Sequence, residues 1–225
     1  MSTVLHLVAE RREADGRWSS VAPADGSRLY DWCQVALFRV LAGVRNDDAR
    51  AGEPYRPIAF PRGLPADVSA EMRQWADDYG SDGHSHSWLS VRELVDYDWQ
   101  QVVVRRGVVF ANVFARWNGI DAPAGWGLWV LSSAECHLDN DQMRQLVARA
   151  QVEQYPLPEP PHPFPIDCPP GISAELYDLV RTRYTTIEWR ETYARSCDRF
   201  LDMTLPKLLA LGPMDDLRIV FFFDN

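Results

Sequence analysis

Lysine is almost missing from this chain. Lys207 is the only one, so nearly all of the 23 basic residues are arginine, and they are outnumbered by 32 acidic ones for a formal net charge of −9. A sequence pI near 5.0 speaks against unspecific grip on nucleic acid or anionic lipid, because counterion release needs clustered cations. The acids are also too dilute and dispersed among 225 residues for a nucleic-acid mimic. Cysteine is scarce: Cys33, Cys136, Cys168 and Cys197 stand far apart with no C-x-x-C pair. That pattern points to a reducing compartment with free, mostly buried thiols.

Long apolar runs are lacking too. No stretch reaches the ~18 apolar residues of a membrane span. The opening Met1-Ser2-Thr3-Val4-Leu5-His6 has no basic start followed by an apolar run, so no signal peptide is expected. The expected setting is the cytoplasm, with no membrane. G-x-S-x-G, P-loop, G-x-G-x-x-G and H-E-x-x-H patterns do not occur, which removes several common enzyme classes. Overlapping His84-Ser85 and His86-Ser87, with no second separate pair, argues against a 2H phosphoesterase. Cys136 and His137 are sequence neighbours, a poor geometry for a catalytic pair.

What is present reads as an α+β protein with an antiparallel or mixed sheet and helices packed on it. At 46% hydrophobic and 24% charged, the chain can bury a core as a single globular domain over 1–225, with the proline-dense connector 155–170 as the place where it would subdivide. Val4–Ala9 and Arg17–Val21 form a predicted hairpin about Asp15-Gly16. Helical spacing predicts a helix from Tyr30 to Val44 and a shorter one over 70–79. Gly80–Ser87 reads as a small polar loop. Ser90 and Glu93 make a capping box with a Leu89/Leu94 staple, and Asp139 and Gln142 repeat the device with Leu138 and Met143. Ser173 starts a further helix.

Gln100–Trp117 reads as a hairpin turning at Arg105-Arg106-Gly107, and Gly127–Leu131 as another strand. Trp189 to Leu209 reads as one long helix, kinked before Pro206. Leu217–Asn225 is too apolar for an edge strand and is placed in the middle of the sheet.

The sharpest local feature is Gly83-His84-Ser85-His86-Ser87-Trp88. Two of five histidines sit two apart, so in an extended segment both face the same way, as a metal pair requires. Asp82, Asp77, Asp78, His137 or Cys136 would have to complete a site for a divalent metal such as zinc. Alternatively, the two imidazoles with Ser85, Trp88 and Arg62, on the stiff Pro61-Arg62-Gly63-Leu64-Pro65 turn, form a cationic pocket for a phosphate or carboxylate. The plain structural reading is that the segment caps backbone groups while Trp88 is buried. Nine tryptophans supply core and flat surfaces for a ligand or protein partner.

Pro61–Pro65, His84–Leu89 and Arg218–Asn225 resemble a family of proteins, without an assigned activity, carried by bacteriophages and bacterial genomes. The likeness spans nearly the whole chain and carries over no catalytic residue. It implies an accessory protein of the bacterial host cytoplasm, at work in phage–host conflict as a counter-defence factor. The leading expectation is therefore a non-catalytic binding protein that holds a small anionic, nucleotide-like ligand or a host protein through His84, His86, Arg62, Ser85 and Trp88. The alternative is a metal-dependent hydrolase using His84 and His86. A third reading leaves the segment as a brace for the fold.

Overall fold

A computed structural model describes residues 3–125, 136–160 and 167–224. Contacts divide the chain into two compact units: Met1–Asp47 with Pro54–Gln101 and Thr192–Asn225, and Asp48–Glu53 with Val102–Glu191. The architecture is α+β. The proline-rich 155–170 stretch falls inside the second unit, and the unit boundaries lie elsewhere.

The first unit is built on a four-stranded sheet. Strand β1 (Val4–Arg12) turns through Gly16, whose φ of 84° suits glycine in a tight turn, into β2 (Trp18–Val21). After helix α1 (Val35–Ala42) and helix α2 (Ala70–Tyr79) comes β3 (His84–Ser90). Helix α3 (Val91–Asp96) follows it directly. The last strand of the chain, Leu217–Asp224, will be called β7. Sheet order is β2-β1-β7-β3, with every pair antiparallel. The closing strand does lie centrally, between β1 and β3, and Leu217–Phe223 are all buried.

The two faces of β7 have different neighbours. Val220 and Phe222 pack with Val68, Met72 and Ala76 beneath α2, whereas Phe223 meets Phe38 of α1 at 5.2 Å between ring centroids. On the α2 face Arg218 is buried at 4% exposure beside the fully buried Glu10, 2.7 Å away. Asp67 and the ring of Trp18 complete its surroundings. Glu10 also accepts from the amide of Ser69, the N-cap of α2. One carboxylate thus ties β1, β7 and α2 together.

The second unit holds β4 (Val102–Phe110), helix α4 (Ala111–Phe114), β5 (His137–Leu138), helices α5 (Asn140–Val152) and α6 (Ala174–Thr182), and β6 (Tyr184–Thr192). Its sheet runs β4-β6-β5, with β5 and β6 parallel. Both capping boxes form, at Ser90/Glu93 and Asp139/Gln142, and the Ser173 hydroxyl caps α6.

Four sequence expectations are corrected. The residues from Tyr30 to Gln34 are not helical, and α1 begins at Val35. Arg105-Arg106-Gly107 do not turn: β4 runs straight through them, because Arg105 is buried 3.8 Å from Glu191 and bridges Gly52. Trp189 lies in β6, packed with Val109, Val113 and Ile187. The helical stretch starts only at α7 (Tyr193–Ser196) and passes a π-helical turn at Phe200–Thr204 into α8 (Leu205–Ala210), with Pro206 in its first turn. The expected strand at 127–131 lies outside the described residues. All four cysteines are free, but Cys33 and Cys168 are exposed and only Cys197 is buried. Among the described residues no helix is long and apolar enough to cross a membrane.

Candidate functional site

The histidine segment is a strand, not a loop. Pairing to β7 draws Gly83's successors into the sheet, but the register shifts between His84 (opposite Phe223) and Ser87 (opposite Phe221), leaving an extra residue on β3. Ser85 takes the left-handed φ of 53° there, as the first residue of a bulge often does. The bulge reverses the side-chain alternation that an unbroken strand would keep. Consequently the His84 ring stacks on Phe223, 6.1 Å away, and the His86 ring on Phe222, 5.2 Å away. Since Phe222 and Phe223 point to opposite faces of β7, so do the two imidazoles.

Each of the predicted site residues has a local engagement. His84 Nδ1 lies 2.9 Å from the Ser85 hydroxyl, while its Nε2 is buried without a partner among the described residues. Among the described residues no group hydrogen-bonds that imidazole from behind, as an activated serine would require. His86 has its pKa lowered below the ordinary histidine value, first by burial and then by the neighbouring charge of His84. Arg62 is committed to structure: it grips Glu93 at 2.6 and 3.2 Å, donates to the Trp88 carbonyl, and lies 4.9 Å over the Trp88 ring. Burial pushes the Glu93 carboxyl up, but Arg62 and the Ser90 amide and hydroxyl outweigh it, so the net shift is downward. The five residues therefore do not converge on one cationic pocket. Among the described residues no group of three or more His, Cys, Asp or Glu side chains gathers to hold a metal ion. His137 belongs to the second unit, where its Nε2 meets the Thr186 hydroxyl.

A different place in the first unit has the form of a binding site. Strand β2 covers only Ala9–Arg12 of β1. Beyond Val21 the chain bows away and returns only at Cys33, whose thiol reaches the Thr3 carbonyl at 3.6 Å. The bow borders a partly open hollow of about 720 Å³ beside Val4–Ala9, lined also by Tyr30, Trp32, Trp75 and Tyr79. That volume lies within the usual range for ligand pockets.

Strand parity identifies which backbone groups face it. The Glu13 amide donates to the Arg17 carbonyl, and the register continues through Arg11–Ser19 and Ala9–Val21. Residues that hydrogen-bond toward β2 therefore alternate as 13, 11 and 9. The next two in that series are Leu7 and Leu5. The amide of Val4, from the other set, turns the opposite way and donates to Asp224. Leu5 and Leu7 thus present N–H and C=O to the hollow, and among the described residues no strand pairs with them on that side.

The hollow's walls are aromatic. His6, opposite Phe222 in the ladder, stacks on it at 4.7 Å, and Tyr79 and Trp75 lie 4.4 and 5.1 Å from the imidazole. His6 and His86 therefore flank Phe222 as a row of three rings across β1, β7 and β3. His6 Nε2 sits 3.2 Å from Asp224, at ion-pair distance without hydrogen-bond alignment. On the facing wall Trp32 meets Tyr30 edge-on at 5.8 Å. The Trp32 indole N–H is buried with no hydrogen-bond partner among the described residues, an uncommon state for a donor-only group. Burial drives the Tyr30 hydroxyl well above the ordinary tyrosine pKa, against the pull of the Gln34 backbone.

Sequence reading passed over this site. His6 carries no motif in the sequence, and helical spacing places Tyr30-Asp31-Trp32 in a helix. The usable signal was the shortness of Arg17–Val21 against a longer first strand, which leaves part of that strand's edge uncovered. Comparison with protein-family models, with curated proteins and with solved structures finds no match.

Proposed function

We propose that this is a non-catalytic binding protein whose ligand occupies the hollow beside β1. One observation carries the reading: the main-chain groups of Leu5 and Leu7, which no strand pairs on that side among the described residues, and the rings of Trp32, Trp75, Tyr79 and His6 border the same 720 Å³ space. Edge amides and carbonyls without a protein partner can exchange water for a ligand of matching polarity. The aromatic walls add stacking area.

The groups around the hollow favour holding over reacting. Its one imidazole, His6, is turned to Asp224 and the surrounding rings. The Ser27 hydroxyl is held by Lys207, and the Cys33 thiol by the Thr3 carbonyl. The Ser27 hydroxyl also meets the Asp25 carboxylate, and among the described residues no serine or cysteine of the hollow is hydrogen-bonded to a histidine. In the phage–host setting that the sequence resemblance implies, such a pocket would act by sequestering a small molecule.

The test is fragment screening by amide and indole NMR on the full chain. Expected hits shift the amides of Leu5 and Leu7 and the indole of Trp32, and Trp32→Ala or Trp75→Ala weakens them at least tenfold. Hits that shift only His84–Trp88, indifferent to both substitutions, would overturn the assignment.

A further inference from the structure

Resting on that reading of the hollow, we propose that its ligand is an uncharged planar ring with a lactam edge, the chemical class of an unphosphorylated nucleobase or nucleoside. A residue in the hydrogen-bonding phase of an antiparallel strand shows its N–H and its C=O side by side on one edge. Leu7 and Leu5 each show that pair to the hollow. A ring lactam offers the complement, a carbonyl beside an N–H, and so pairs with one such residue as a partner strand would. The slot is closed at both ends, by the Ala9–Val21 pairing and by the Cys33–Thr3 contact. That closure suits a compact ring and works against a polypeptide strand that has to run on past either end.

The walls fit the same class. Trp32, Trp75, Tyr79 and His6 supply flat faces. The charged lining is Glu71 and Asp31 against Arg28 alone, with Asp224 behind His6. Lys207 on Ser27 and Arg28, and Arg199 over the Trp32 ring, bring the nearby charges close to balance, so in a chain of net charge −9 there is no surplus of cations to hold a phosphate. The expectation of an anionic ligand therefore gives way to an uncharged one.

Titration calorimetry with matched probes tests this on the full chain. The pairs are inosine and 1-methylinosine, and uridine and 3-methyluridine. Methylation of the ring nitrogen removes the N–H and keeps the stacking area. At least one parent nucleoside is expected to bind with the Leu5, Leu7 and Trp32 signals shifting, and its methylated partner at least tenfold more weakly. The corresponding triphosphate is expected to bind at least tenfold more weakly than the nucleoside at low salt, a gap that Glu71→Gln with Asp31→Asn narrows. Trp32→Ala removes one of the flat faces and should weaken the parent at least tenfold. Leu7→Pro deletes an edge-facing N–H without touching the ladder to β7; should it fail to fold, the methylated probes with Trp32→Ala carry the test.

Equal binding of parent and methylated probes overturns the lactam edge. Tighter binding of the triphosphate overturns the uncharged class. Absence of nucleoside binding, while other fragments still shift Leu5, Leu7 and Trp32, overturns the ligand class and leaves the hollow as a binding site. Silence of the hollow to every probe and fragment overturns both.

Discussion

Glu10→Ala is the substitution with the most to say about the frame of the site. Glu10 is fully buried, and it holds the 4%-exposed Arg218 at 2.7 Å while accepting from the Ser69 amide. Its removal leaves a guanidinium uncompensated in the interior, a change that costs about 3–5 kcal/mol. Asp67 remains 2.9 Å from Arg218, but its side chain is 62% exposed, so its charge is screened and pulls the figure only toward the lower end. The orphaned Ser69 amide, worth ~1–3 kcal/mol where unsatisfied, pulls it back. The expected net loss is about 4 kcal/mol, or roughly 10 °C in Tm for a chain of this size.

Differential scanning calorimetry reads this, following the transition that carries the β1–β7 sheet. The informative control is Glu10→Leu with Arg218→Met, which removes both charges and restores packing. Exchange of a buried pair for apolar groups is often neutral or better, so the double variant should recover more than half of the loss. A single-variant loss below ~1 kcal/mol, or a double variant no better than the single, would refute the reasoning that the buried carboxylate is required because the arginine is there.

Other outcomes follow from particular contacts. Gly52 has φ of 106°, and a Cβ there would meet the Val104 carbonyl oxygen at 2.2 Å; Gly52→Ala should therefore destabilise the second unit by about 2–4 kcal/mol, read by thermal denaturation. Arg62→Ala should cost about 1 kcal/mol through the start of α3, and leave nucleoside binding unchanged within twofold, because Arg62 serves Glu93. The His86 pKa is lowered from 6.5 in the folded state, so the unfolded chain takes up a proton first as pH falls below 6.5, and stability drops with acidification. His86→Gln should flatten the Tm profile between pH 7.5 and 5; an unchanged slope would contradict the assignment. Glu93, lowered from 4.5, contributes stability above pH 4.5 that is lost as pH falls through its folded value, and Glu93→Gln should remove that acid-side slope.

What the sequence alone determined rests on neighbours along the chain. The Ser90 and Asp139 capping boxes, the Ser173 cap and the Asp15-Gly16 turn are satisfied by groups within four residues, so residue types at fixed offsets reveal them. The apolar run Leu217–Phe223 also declared its central place, since a strand without a polar side needs cover on both.

Tertiary structure decided the rest, because each remaining feature depends on a partner far away in sequence. Arg105 and Gly107 are extended because β4 bridges Gly52 and lies by Glu191. The His84–Ser90 strand exists because β7 pairs with it, and one inserted residue in that pairing, invisible in the order of letters, turned a presumed same-side histidine pair to opposite faces. The hollow beside Leu5 and Leu7 arises only where β2 stops short of β1's length. An unpaired backbone edge has no residue signature, because every amide in the chain looks alike until the fold shows which of them lack a partner.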